Sequence, residues 1–205
     1  MTSLDEPRIS KLSEVIEVLS RINLENDEET VRDIASLLRR VEEEHMESLL
    51  RILRMDFGEA TRLMGTNILK KIVSEAVANI TSLKQSRVEE LIETGRIREA
   101  ICKKNRILTS EGLSISQAYQ GMLEACRLSG KGSISSKVRI LEGLLSKSSE
   151  EETVFIINTL TQGRKAISYE LIIRALEKLY NTQFGEATIS GEFYEKVKKM
   201  LDNAR

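Results

Sequence analysis

One proline, no tryptophan, two cysteines and a single histidine occur among 205 residues, and each shortage excludes something. The proline is Pro7, so every later stretch lacks the residue that most reliably breaks a helix. Breaks must instead be read from glycine and from Ser, Thr and Asn. Cys102 and Cys126 have no second pair nearby, which rules out a disulfide framework and a zinc knuckle and predicts two core residues. One histidine cannot complete a convincing Ser/His/Asp or Cys/His set. Glu42-x-x-His45 has the spacing of a helical ligand pair, but a carboxylate di-iron site needs two such motifs. The pair therefore reads as part of a solvated acidic face with Glu43, Glu44 and Glu47, and no catalytic or metal-binding residue is assigned. No apolar run approaches the roughly 18 to 20 residues that span a bilayer, and MTSLDEPRIS has no basic-then-apolar secretory pattern. The expected location is the cytoplasm (nucleoid) or nucleus, with no membrane partner.

What remains is 40% hydrophobic and 31% charged, a composition suited to a helical globular protein. Apolar residues recur at helical spacing: Leu12, Val15, Ile16 and Leu19; Val31, Ile34 and Leu38; Leu49, Leu50 and Leu53. This predicts helices near 10–22, 27–41 and 42–55. Further helices are expected from Ile68 to Val77, near 84–94 and 97–104, around Ala118 to Cys126 and Val138 to Leu145, through Phe155 to Leu160, and near 168–180 and 190–203. Asn26 with Glu29, and Ser149 with Glu152, stand at capping-box spacing, which marks two of the starts. The fold expected is all-α, a bundle of about ten to twelve helices. The segments LMGTNILKKIVSEAV (63–77) and KAISYELIIRALEKL (165–179) look alike, which suggests an internal duplication and two pseudo-symmetric lobes, about 1–110 and 111–205, within one domain.

Charge is unevenly placed. Residues 1–60 hold 8 Lys/Arg against 15 Asp/Glu, while residues 61–205 hold 23 against 17. Between Arg127 and Lys147 there are five basic residues against Glu142 alone. Within that stretch SGKGS (129–133) lacks the leading glycine of a Walker loop, since position 125 is Ala, and no strand precedes it. Its physics still favours an anion. Gly130 and Gly132 let the backbone approach, Ser133 is placed to cap the next helix, and that helix start offers free amides and a positive dipole beside Lys131 and Lys137. GRKAIS repeats the pattern with Gly163, Arg164 and Lys165 ahead of a helix expected to be capped by Ser168. Gly65 and Thr66 ahead of Lys70 and Lys71 give a third, plainer case. Several such starts on one face suit repeated backbone phosphates, bound without reading bases.

With these residues in view, the stretch from about Phe57 to Tyr180 resembles the N-terminal DNA-binding domain of ATP-dependent DNA ligases of the archaeal and eukaryotic type. The likeness rests on MGTNILKKIVSEAV (64–77), VEELIETGRI (88–97), LSGKGSISSKVRILEGLL (128–145) and EEETVFIINTLTQGRKAISYELIIRAL (150–176), in the family's order and spacing. The opening helices suit it too. Ala166 stands where the family's loop usually has a second glycine, and Arg96 where its Gly-Asp turn has the acid.

The resemblance implies an all-helical, two-lobed body that grips nicked duplex DNA from the minor-groove side. It implies phosphate contacts at Gly130, Gly132, Ser133, Lys137, Gly163, Arg164 and Lys165, with Gly65, Thr66 and Lys70 as counterparts in the other lobe; Lys131 joins the expected DNA-binding set through its charge beside the helix start. The family's catalytic K-x-D-G lysine has no equivalent between Met1 and Arg205. The chain is thus expected to be non-catalytic by itself and to use no cofactor. ATP and Mg would serve a ligase catalytic domain acting in cis or in trans. The competing expectation, from a different class, is a helical scaffold whose grooves bind partner helices without nucleic acid; low aromatic content argues mildly against it.

Overall fold

The computed structural model describes residues 7–57, 66–102, 112–128, 132–161 and 165–181, together with Gln183, Tyr194 and Val197. The described residues form ten helices and no β-strand. They are α1 (Leu12–Leu19), α2 (Asp27–Arg40), α3 (Glu43–Arg54), α4 (Thr66–Thr81), α5 (Gln85–Glu93), α6 (Arg98–Ile101), α7 (Ile115–Arg127), α8 (Ser133–Lys147), α9 (Glu150–Leu160) and α10 (Tyr169–Tyr180). The expected all-helical bundle is therefore what the chain builds. Of the helix expected at 190–203, Tyr194 and Val197 are helical and the rest lies outside the described residues.

Local chemistry sets the boundaries. At α9 the Ser149 hydroxyl accepts from the Glu152 amide at 3.2 Å, and the Glu152 carboxylate accepts from the Ser149 amide at 2.8 Å, closing the expected box. At α2 only half of the expected box forms. Asn26 accepts from the Glu29 amide at 3.2 Å, but the Asn26 amide donates to the carbonyl of Asn23, so Glu29 has nothing to reach back for. Ser114 and Gln117 make a further box at α7, beyond the two expected. Glu152 extends its role: it is fully buried and also accepts from the Leu113 amide, tying α9 to the turn before α7.

The buried side chains make one continuous core. Helices from the two halves of the sequence interleave in it: α10 packs on α2, α7 on α3, α4 on α8 and α1 on α9. The extended segment around Ile9 stitches two of these layers. Ile9 pairs with the α2–α3 junction through Arg40 and Glu42, and Ser10 and Leu12 pair with the start of α7 through Ile115 and Leu113. Each fully buried Leu, Ile or Val contributes about 1.5 to 3 kcal/mol, so the stripe Leu69, Ile72, Val73 and Val77 is what holds α4 in place. Cys126 lies in the core as expected. Cys102 does not: it caps α6 at the surface, where its thiol donates to Glu150 at 3.3 Å.

Candidate nucleic-acid interface

The start of α8 is built by a glycine. Gly132 is the N-cap, with φ at 80° in the left-handed region, and a Cβ there would meet nothing within 4 Å. The expected cap, Ser133, is instead the first helical residue. The reason is geometric: the chain enters the helix through a left-handed turn that glycine adopts without the cost other residues incur. A glycine cap has no side chain to satisfy the first amides, and no side chain caps this start. Among the described residues the first-turn amides of α8 thus have no side-chain cap, and they lie at the positive end of the helix dipole, equivalent to roughly half a charge.

Neighbouring helices hold α8 in position. Val138, Leu141, Leu144 and Leu145 are buried against α4 and α7. Gly121 of α7 lets α8 approach closely, since a Cβ there would lie 2.8 Å from a methyl of Leu144. Asn79 of α4 donates to the carboxylate of Glu142.

Lys137 has a different role from the one expected. It is buried, and its ammonium donates to the carbonyl of Cys126 at 3.2 Å. It lies four residues into α8, on the side turned to α7, and there it ties the two helices together instead of facing a phosphate. Burial pushes its pKa below the ordinary lysine value.

At α4, Thr66 opens the helix, Lys70 is half-buried and Lys71 exposed. Lys70 and Lys71 line a cleft of about 270 Å³ with Asn67, Ile92 and the carboxylates of Glu89 and Glu93. Because α4 packs on α8, the Thr66–Lys70 and Gly132–Ser133 sets belong to adjacent helices.

The third set stands on α10, which packs on α2. Ser168 caps this helix as expected, accepting from the Leu171 amide at 3.3 Å, so one amide is already used. The residues just before it are pinned to the end of α3. The Ile167 amide donates to the Leu53 carbonyl at 2.9 Å, and Arg54 donates to the Ile167 carbonyl at 2.6 Å while its guanidinium lies 3.6 Å over the Tyr169 ring. Lys165 is exposed beside this anchor. Gly65, Gly130, Lys131, Gly163 and Arg164 lie outside the described residues.

Two surface residues escape a reading of the sequence alone. Among the described residues the exposed large hydrophobics are Leu24, Ile68 at 48% and Ile134 at 54% exposure. Ile68 and Ile134 both stand in the first turns of helices whose starts carry the expected phosphate contacts. Helical spacing gives no signal for Ile134, which stands four and seven residues before the buried Val138 and Leu141 and so reads as part of the inward stripe.

The described residues thus define an all-helical protein in which Gly132 at the start of α8 and Lys165 ahead of α10 are exposed. No described helix is long and apolar enough to cross a membrane. The chain belongs to the DNA ligase N-terminus family, the N-terminal domain of ATP-dependent DNA ligases: the family model matches residues 8–176. It is similar to a DNA ligase of Archaeoglobus fulgidus, 26% identical over 184 residues that cover 82% of this chain and 30% of the relative. It is also similar to a DNA ligase of Pyrobaculum arsenaticum, 24% identical over 164 residues (75% of this chain, 28% of the relative), and to one of Pyrobaculum islandicum, 23% identical over 157 residues (71% and 27%). The chain thus spans less than a third of the length of these relatives.

Proposed function

We propose that this chain binds nicked duplex DNA through its phosphate backbone, without sequence preference, and supplies the DNA-binding step of ATP-dependent ligation. The observation that carries the reading is the uncapped start of α8 within a chain of this family. Its free amides, the glycine at Gly132 and the hydroxyl of Ser133 suit a phosphate oxygen. Thr66 and Lys70 on the adjacent α4 would take a second phosphate, and Lys165 with Arg164 a third. Gly65, Gly130, Lys131 and Gly163 complete these turns in the proposal; Lys137 is left out because its ammonium is already engaged. Ile68 and Ile134 would rest against deoxyribose in the minor groove, where apolar side chains are a recurrent means of contact. Catalysis, and with it ATP and Mg, would belong to a domain bearing the K-x-D-G lysine, and the two-lobed division stays part of the proposal.

Fluorescence anisotropy with a nicked duplex, an unrelated nicked duplex and a single strand of the same length tests it. Equal affinity for the two duplexes and weaker binding of the single strand are expected. A strong preference for one sequence, or for the single strand, would refute the reading. The scaffold alternative would use a groove of about 680 Å³ between α1 and α9, lined by Ile16, Leu19, Val154 and Phe155; no charged ligand is needed there.

A further inference from the structure

We infer that Arg54, the last residue of α3, is a positioning residue for DNA binding: it holds the turn at residues 165–168 where Lys165 can meet a phosphate. This rests on the DNA-binding reading above, and it names a residue away from the contact surface on which one of the phosphate contacts depends. Residues 165–168 belong to no helix, so no ladder of backbone bonds fixes them. The end of α3 supplies what is missing. Consecutive residues of its last turn take both backbone groups of Ile167: the Leu53 carbonyl accepts from the amide at 2.9 Å, and the Arg54 guanidinium donates to the carbonyl at 2.6 Å. The same guanidinium lies 3.6 Å over the Tyr169 ring. Arg54 therefore grips the residues on either side of Ser168, the cap of α10.

Packing alone would be served at this place by an apolar side chain. Arg54 is instead half-buried, and among the described residues its Nε is shielded from solvent without a hydrogen-bond partner. A buried donor left unpaired opposes folding, and such departures gather where a side chain serves function before stability.

Arg51, one turn earlier on α3, shows the contrasting case. It lies 3.9 Å over the Tyr194 ring, and Glu47 at 2.9 Å and Asp56 at 3.2 Å match its charge. Its contacts are those of an anchor for Tyr194, and none of them reaches the turn before α10. Arg54 holds a carbonyl two residues from an exposed lysine. A lysine side chain is long and loses much rotamer freedom when it binds, so a backbone that also moved would add to the cost of its contact.

Variants of the full chain test this by anisotropy with a nicked duplex at several salt concentrations, well below their melting temperatures, and by amide hydrogen exchange without DNA. In Arg54→Met the Ile167 amide should exchange about tenfold faster. Its affinity for the duplex should fall about three- to tenfold, with a salt slope lower by about one unit. Lys165→Ala should show the same loss of affinity and slope, with Ile167 exchange as in the wild type. Because both changes act on one contact, the Arg54→Met/Lys165→Ala double variant should bind no more weakly than Lys165→Ala. Arg51→Met should lower the melting temperature yet leave DNA affinity and Ile167 exchange unchanged, which separates positioning from a general loss of stability. Wild-type affinity in Arg54→Met while Lys165→Ala loses affinity would overturn the role of Arg54 alone. Additive losses in the double variant, or an equal loss in Arg51→Met, would overturn it too. Wild-type affinity in Lys165→Ala, or no DNA binding by the unmodified chain, would instead remove the phosphate contact at this turn and the inference with it.

Discussion

Gly132→Asp separates anion binding at α8 from every purely structural role of that turn. The position tolerates a side chain sterically, because a Cβ on this residue would have no neighbour within 4 Å. Its φ of 80° costs a substituted L-residue about 1 to 2 kcal/mol, less for Asp and Asn. Against that, a carboxylate at the positive end of α8 returns about 0.3 to 1 kcal/mol. Net stability should change by no more than about 1 kcal/mol, or roughly 2 to 4 °C in melting temperature for a chain of this size. DNA binding should respond far more. The carboxylate takes the place a phosphate oxygen would occupy and repels what remains, removing charge-assisted hydrogen bonds that contribute about 1.5 to 3 kcal/mol. A loss of about ten- to hundredfold in affinity for nicked duplex follows. Gly132→Asn imposes the same backbone strain without the charge and should lose much less. Anisotropy titrations of both variants, beside their thermal melts, decide the matter. Equal affinity in the Asp and Asn variants would refute phosphate binding at this helix start.

Other expectations follow from the same geometry. Arg164→Ala/Lys165→Ala should weaken DNA binding and lower the salt slope by about one unit per lost phosphate contact, with little effect on melting temperature, checked by titration at several salt concentrations. Lys137→Met should leave DNA affinity and slope as they are. Because the folded chain lowers the Lys137 pKa, the unfolded chain binds more protons there, and stability should rise with pH on approaching the ordinary lysine value near 10.4; denaturation at a series of pH values should show this rise in the wild type and its loss in Lys137→Met. Glu152→Ala removes the acceptor for two backbone amides, one of them in the buried turn at Leu113, and should cost about 3 kcal/mol by urea denaturation. Incubated alone with ATP, magnesium and nicked DNA, the chain should form no AMP adduct detectable by mass spectrometry, as no K-x-D-G lysine is present.

Helix number and order are legible in the sequence because apolar spacing is a local signal, and the 8–57 and 133–180 stretches show it without interruption. The Ser149 cap is legible for the same reason. The Asn26 box is only half so, because the competing acceptor at Asn23 belongs to the preceding turn. Lys137 shows where local reading ends. Its position on the buried side of α8 depends on α7 packing there, and a lysine in a basic stretch gives no hint that its ammonium will meet the Cys126 carbonyl. Arg54 and Glu152 anchor the turns before α10 and α7 through partners 113 and 39 positions away, which no local pattern encodes. Tyr194 likewise docks on α3, with the Arg51 guanidinium 3.9 Å over its ring and its hydroxyl on Asp56 at 3.3 Å. By its neighbours in sequence His45 belongs to a solvated face. Its ring turns inward because Ser116, far along the chain, meets it there.

The central claim is that this chain holds DNA by its phosphates, and the salt dependence of binding tests it most directly. The affinity of the full chain for a nicked duplex, measured by anisotropy between about 50 and 200 mM salt, should fall linearly on a log–log plot with a slope of about 0.9 per neutralised phosphate. Three helix starts predict a slope of about three. A flat response, or no binding at the lowest salt, would contradict the account.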